Sequence, residues 1–188
     1  MTFQFILLAV SAVWVASEVV LVFTRRSIAG SRKQDAGSLV RLNLIIYASV
    51  ALAVCIGLSR FGRMNVAQPG LSWLGLFLIV SGLAIRWTAI FTLQQYFTVD
   101  VAILPDHRVI QKGLYKFVRH PSYLGSIVSF VGLGVAFCNW IAIAVVVVPV
   151  TLAFIKRIRI EERALVNALG EEYTNYCRVT RRLLPWIY

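Results

Sequence analysis

Apolar residues fall along this chain in five runs separated by polar, mostly basic stretches. The runs cover about Phe3–Phe23, Leu42–Leu58, Leu71–Leu93, Ser122–Phe137 and Trp140–Ile155. The first and third are long enough to cross a hydrocarbon layer of roughly 30 Å with some tilt; the second is marginal and the last two are short. Only Cys138-Asn139 separates the last two, a tight break that predicts a membrane hairpin. The pattern predicts an all-α integral membrane protein with five transmembrane helices.

Composition agrees with this. Hydrophobic residues make up 59% of the 188, too many for a soluble domain of this size. A net charge of +11 invites a nucleic-acid reading. The basic residues, however, lie between the apolar runs and not on one soluble face, so nucleic acid is excluded as a partner and anionic lipid headgroups are favoured. Arg25, Arg26, Arg32, Lys33 and Arg41 follow the first run; Arg108, Lys112, Lys116 and Arg119 follow the third; Lys156, Arg157, Arg159, Arg163, Arg178, Arg181 and Arg182 follow the fifth. These are sixteen of the nineteen basic residues, and five spans place them all on one side. Arg60 and Arg63 fall on the other. The positive-inside rule then predicts the N-terminus outside and the C-terminus inside.

Two charges sit within spans, Glu18 near the inner end of the first and Arg86 deep in the third. Intramembrane charges are costly and usually pair or line a cavity. Pairing of the two, or a shared polar cavity, is expected; snorkelling to the interface is the alternative. Cys55, Cys138 and Cys177 are far apart and only two histidines exist, so neither a zinc site nor a disulfide framework is expected, and no metal partner. The first residues, Met1-Thr2-Phe3-Gln4, lack the positive region of a secretory signal, and Pro185-Trp186-Ile187-Tyr188 is no prenylation box.

Three polar stretches could carry chemistry. In Arg119-His120-Pro121-Ser122-Tyr123-Leu124-Gly125, Pro121 suits the first position of a helix, whose free N–H groups form a natural anion site. Tyr123 lies one turn beyond His120, and Gly125 allows a backbone or a ligand close approach. A plain interfacial anchor is the competing reading. The stretch 94–121 is long for a mere connection; Pro105-Asp106 and Gly113 mark turns, with a short extended run Arg108–Gln111 between them. In Lys156-Arg157-Ile158-Arg159-Ile160-Glu161-Glu162-Arg163, Arg157 and Glu161 share a helical face and Glu162 points about 100° away. A surface ion pair is the competing reading there. No GxGxxG after a strand, Walker loop, HExxH or GxSxG is present, which excludes a soluble Rossmann-type enzyme.

HRVIQKGLYKFVRHPSYLG (107–125), a hairpin, then RIRIEERALVNALGEEYTNY (157–176) resembles the isoprenylcysteine carboxyl methyltransferase family and the related phospholipid N-methyltransferases. The resemblance covers about Tyr96 to Pro185; the first three spans match in character only. It implies an integral membrane enzyme using S-adenosylmethionine, releasing S-adenosylhomocysteine, with an inner-side cofactor pocket formed by the C-terminal half. His107, Arg108, Val109 and Ile110 resemble the loop that wraps the cofactor, and Tyr115 a cofactor-contacting tyrosine. His120, Pro121, Ser122 and Tyr123 match the HPxY cofactor motif. Glu161 matches the carboxylate that takes the cofactor's amine, and Arg157 the catalytic arginine that holds the acceptor's carboxylate.

The implied organisation is three N-terminal transmembrane helices in 1–93 and a catalytic part in 94–188. The latter comprises a cofactor loop (94–121), a membrane hairpin (122–155) and C-terminal helices (156–188). The acceptor is expected to be lipid-like, a prenylated cysteine among the candidates, reached sideways from the bilayer. The compact chain suggests a prokaryotic inner (cytoplasmic) membrane protein with its site facing the cytoplasm. Two alternatives stand: an NADPH-dependent membrane reductase related to sterol reductases, although Ser126 stands where that group has an acidic residue, and a non-catalytic membrane scaffold.

Overall fold

A computed structural model describes residues 2–25, 32–33, 37–59, 61–65, 68–104 and 106–184. Arg26, Arg60, Pro105 and the terminal residues 185–188 lie outside the described residues. The chain is mostly helical: α1 (Thr2–Thr24), α2 (Ser38–Leu58), α3 (Gln68–Leu93), α4 (Pro121–Ala136), α5 (Trp140–Leu169) and α6 (Glu171–Val179), with single 3₁₀ turns at Gln94–Tyr96 and Gly113–Lys116. Four of these, α1, α2, α3 and α5, are long and apolar enough to cross a membrane, and α4 is a shorter apolar helix of 16 residues.

Helix ends depart from the apolar runs in one direction. α2 begins at Ser38, ahead of Leu42, and takes in Arg41, so it is not marginal in length. α5 does not stop at Ile155 but continues through Lys156–Arg163 to Leu169 as one 30-residue helix. Lys, Arg and Glu are good helix formers, so polarity ends the apolar portion without ending the helix. The expected boundary between a hairpin and C-terminal helices at 155/156 therefore lies inside α5. The fold is also not purely helical. Arg32–Lys33 (β1) pairs antiparallel with Ala102–Ile103 (β2), in register Arg32 to Ile103. The α1–α2 and α3–α4 connections meet at one end of the molecule, where their backbone groups satisfy each other.

The closest helix contact is antiparallel, α3 against α4. Gly75 and Gly82 on α3 face Gly132 and Gly125 on α4, and a Cβ at Gly125 or Gly132 would stand 2.5–2.6 Å from the α3 backbone. Ser129 Oγ donates to the Ile79 carbonyl across the same seam at 3.1 Å. Small residues let backbones approach within a membrane, where packing and interhelical hydrogen bonds replace the hydrophobic effect. Gly125 thus admits a neighbouring backbone.

The predicted hairpin break is built on Asn139, which is fully buried. Its Oδ1 accepts from the N–H groups of Ile141 and Ala142, both at 3.0 Å, capping α5. Its Nδ2 donates to the Phe61 carbonyl at 2.7 Å, and Trp140 N–H donates to Gly62 O at 3.0 Å. The α4–α5 turn is therefore tied to the α2–α3 connection. Trp14, Leu42, Ala53, Ile79, Phe130, Leu133, Val146, Val150 and Phe154 form the core. Phe5, Leu8, Val15, Tyr47, Phe77 and Phe91 face outward, as side chains meeting lipid tails do.

Candidate active site

At the end opposite the Asn139 turn, five pieces of chain converge. They are the connection 97–112, the Gly113–Lys116 turn, the start of α4, the polar half of α5, and α6 with residues 180–184. Segment 118–120 is sewn to the C-terminal segment: Arg119 N–H donates to Arg181 O at 2.7 Å, His120 N–H to Arg182 O at 3.0 Å, and Arg181 N–H back to Phe117 O at 3.2 Å. Tyr176 OH donates to Tyr115 O at 2.7 Å, fixing α6 on the 3₁₀ turn. Pro121 opens α4 at its first turn, where it costs no hydrogen bond.

Glu161 and Glu162 project from α5 to opposite sides of His120. Glu161 Oε2 accepts from Tyr123 OH at 2.9 Å, and its Oε1 lies 3.8 Å from His120 Nδ1. Glu162 Oε1 accepts from Arg119 Nε at 2.8 Å and lies 3.4 Å from His120 Nε2; Oε2 accepts from Arg182 Nε at 2.8 Å. The His120 ring, 4% exposed, lies beside Tyr123, which packs on Phe154 at 4.9 Å between centroids. Arg119, whose guanidinium also donates to the Cys177 and Thr180 carbonyls, is a buried clamp and no headgroup anchor. Lys116 is exposed.

Arg157 is 2% exposed, so it takes no part in a surface ion pair. Its guanidinium donates to Ser38 Oγ at the start of α2 and to the Val99 carbonyl at 2.8 Å. Glu18 and Arg86 pair as expected, Nε to Oε1 at 2.6 Å and Nη2 to Oε2 at 2.7 Å, a bidentate ion pair between α1 and α3. Arg86 also reaches the Ser122 carbonyl at 3.4 Å.

A cavity of about 1340 Å³ opens between these groups. His107, Arg108, Val109, Ile110, Tyr115, His120, Ser122, Tyr123, Arg157 and Glu161 all line it, with Glu18 and Arg86. Pro121 is buried behind them. The cavity continues past Trp14, Ile46, Phe130 and Leu133 between the spans. The expected extended run Arg108–Gln111 forms neither strand nor helix, and Val109 N–H donates to Glu172 Oε1 at 3.3 Å. His107 packs on Tyr96, with its Nδ1 buried and unpartnered; burial lowers its pKa, opposed by Glu161. Burial, with the Glu161 charge second, raises that of Tyr115. Glu162, Arg182 and Ser38 carry no motif that marks them. Adjacency to Glu161 is the one sequence signal for Glu162, and its helical phase points away. Among the described residues no cluster of His, Cys, Asp or Glu could hold a metal.

The profile of the isoprenylcysteine carboxyl methyltransferase family matches residues 73–167, half of the chain. The chain belongs to this family. The match takes in most of α3, upstream of the segment from Tyr96 that carries the motifs. Protein-S-isoprenylcysteine O-methyltransferase B of Arabidopsis thaliana is 33% identical over 77% of this chain and 78% of its own length. The Mus musculus protein-S-isoprenylcysteine O-methyltransferase is 34% identical over 68% of this chain and 48% of that protein. A solved structure of the eukaryotic intramembrane Ras methyltransferase ICMT matches with a TM-score of 0.59 and 25% identity, over 80% of this chain and 51% of that one. The chain thus spans about half the length of the mouse protein and of the solved structure. This member of the isoprenylcysteine carboxyl methyltransferase family is a multi-pass membrane methyltransferase; the reductase and scaffold readings fall away.

Proposed function

We propose that this protein transfers a methyl group from S-adenosylmethionine to a lipid-like acceptor, O-methylating a carboxylate of the isoprenylcysteine type or a related lipidic hydroxyl. The observation that carries the reading is one continuous cavity, with Glu161, His120, Tyr123 and Arg157 at its polar end and Trp14, Phe130 and Leu133 along its apolar course. The residues fit the cofactor: Glu161 offers a partly exposed carboxylate, and the buried, unpartnered Nδ1 of His107 awaits a polar group. S-adenosylmethionine supplies an electrophilic methyl when bound. Glu161 takes its ammonium in a charge-assisted hydrogen bond. His107, Arg108, Val109 and Ile110 would wrap it with Tyr115, and His120, Ser122 and Tyr123, backed by Pro121, would form another wall.

Arg157, anchored from two sides, orients the acceptor's carboxylate, which is ionised at neutral pH and requires no general base. Apolar walls exclude water, and catalysis is positioning and desolvation. The acceptor reaches the site sideways from the bilayer. Residues 1–93 form the membrane scaffold and 94–188 the catalytic part, crossing five times with N-terminus out, C-terminus in and the site at the cytoplasmic face of a prokaryotic inner membrane. Product S-adenosylhomocysteine binds the purified protein in calorimetry under this reading. Glu161→Gln lowers that affinity roughly tenfold or more, whereas Arg157→Lys loses turnover of a prenylcysteine with affinity largely kept. No binding of S-adenosylhomocysteine, or full turnover by both variants, would overturn it.

A further inference from the structure

We infer that Glu162 is a positioning residue for the cofactor site: it holds His120 as the Nε2–H tautomer, so that Nδ1, beside Glu161, is an acceptor for a bound ammonium group. The inference rests on the cofactor reading above and assigns a part to a carboxylate that does not line the cavity.

The geometry is asymmetric about the imidazole. Nε2 is 3.4 Å from Glu162 Oε1, within reach of a hydrogen bond, whereas Nδ1 is 3.8 Å from Glu161 Oε1, beyond it. Glu162 is clamped by Arg119 on one oxygen and Arg182 on the other, both at 2.8 Å. A carboxylate held by two guanidinium groups is ionised and only accepts. The proton between it and the ring therefore belongs to Nε2, which leaves the Nδ1 lone pair bare. The ring is buried, and the backbone N–H of His120 donates to Arg182 O at 3.0 Å, which fixes the residue that carries it.

Nδ1 and Glu161 Oε1 are then two acceptors side by side, 3.8 Å apart, and neither can donate to the other. A primary ammonium has three donors and satisfies both at once. The charges favour this state. Arg119 and Arg182 bring two positive charges to the one negative charge of Glu162, so an imidazolium would add a third, whereas a neutral His120 keeps Glu161 available for the ligand. The tie runs through side chains from the C-terminal segment (Arg182) and α5 (Glu162) to the first turn of α4.

Histidine side-chain nitrogen NMR on the full chain in detergent, without cofactor, tests this. The chain has two histidines, so a His107→Asn variant assigns both. About two units above the ordinary imidazole value, His120 is expected as a single Nε2–H tautomer. Glu162→Gln is expected to mix the tautomers and to weaken S-adenosylhomocysteine binding roughly tenfold. A purely structural Glu162 would change thermal stability and leave the tautomer alone. An Nδ1–H tautomer or an imidazolium in the native protein at that pH, or a tautomer indifferent to Glu162→Gln, overturns the proposal. Should Glu162→Gln not fold, the native spectrum still decides, and Arg182→Gln, on the more exposed side of the clamp, gives the second comparison: a shifted tautomer balance supports the proposal and an unchanged one counts against it. A tautomer that responds to Glu162→Gln in protein that binds no S-adenosylhomocysteine supports the positioning role and overturns the cofactor reading.

Discussion

Arg119 and His120 are neighbours in the chain, and both are spent inside the protein. Arg119 closes a buried clamp with Glu162 and the α6 carbonyls, and His120 stands between two carboxylates. Either alone is an ordinary interfacial residue, and only burial and partners distinguish a clamp from an anchor. Glu18 and Arg86 show the same dependence: cost alone predicts that they pair or share a cavity, and the structure shows both, with the pair lining the cavity. His107 offers a test at this scale. Burial lowers its pKa from the ordinary 6.5. As pH falls through about 6.5, the unfolded chain takes up this proton before the folded protein does. Stability should therefore decline on acidification, and His107→Gln should remove that component from the slope of Tm against pH, measured by thermal unfolding in detergent. An unchanged slope would show that His107 titrates alike in both states. His120, Tyr123, Arg157 and Glu161 could be singled out in the sequence because the motifs that carry them are short and local to each stretch. Glu162 could not, because its role depends on Arg119 and Arg182, 43 and 20 residues away.

At the scale of elements, hydrophobicity marked where helices lie and missed where they end. The apolar portion of α5 stops near Ile155 while the backbone continues to Leu169, and it is this continuity that carries Arg157, Glu161 and Glu162 to the end of the molecule where His120 lies. The α3–α4 seam sets the other wall. A glycine at 125 allows a backbone or a ligand to approach closely, and the neighbour is the α3 backbone at Gly82 and Arg86. Gly82→Ala would bring a Cβ within 2.5 Å of the Gly125 carbonyl oxygen. It should splay the two helices and cost about 1–3 kcal/mol, read as a lowered Tm with weaker S-adenosylhomocysteine binding, because the seam positions the first turn of α4. Gly70→Ala, with open space around it, is the matched control and should be neutral or slightly stabilising.

For the whole molecule, the charge map groups three basic regions on one side, and the fold brings their described parts to one end. Arg25 donates to Gln94 O, β1 pairs with β2, and Arg157 donates to Val99 O there. The Asn139 turn and the α2–α3 connection sit at the other. In a cysteine-free background, Glu171→Cys should react with a membrane-impermeant maleimide only from the cytoplasmic side and Phe61→Cys only from the opposite side; the reverse labelling would invert the proposed orientation. The sequence by itself determined the membrane class, the number and order of apolar helices, the family, and the polar residues His107, Tyr115, His120, Tyr123, Arg157 and Glu161 that line one end of the cavity. Those properties reside in local composition and short spacings, which the unfolded chain already carries. Only the tertiary structure decided that Arg119 is a clamp, that Glu162 joins the C-terminal segment to His120, and that Gly125 faces a helix. Each of these depends on groups distant in sequence meeting at a few ångströms. Such meetings follow from how the helices pack, which no single stretch of the chain contains.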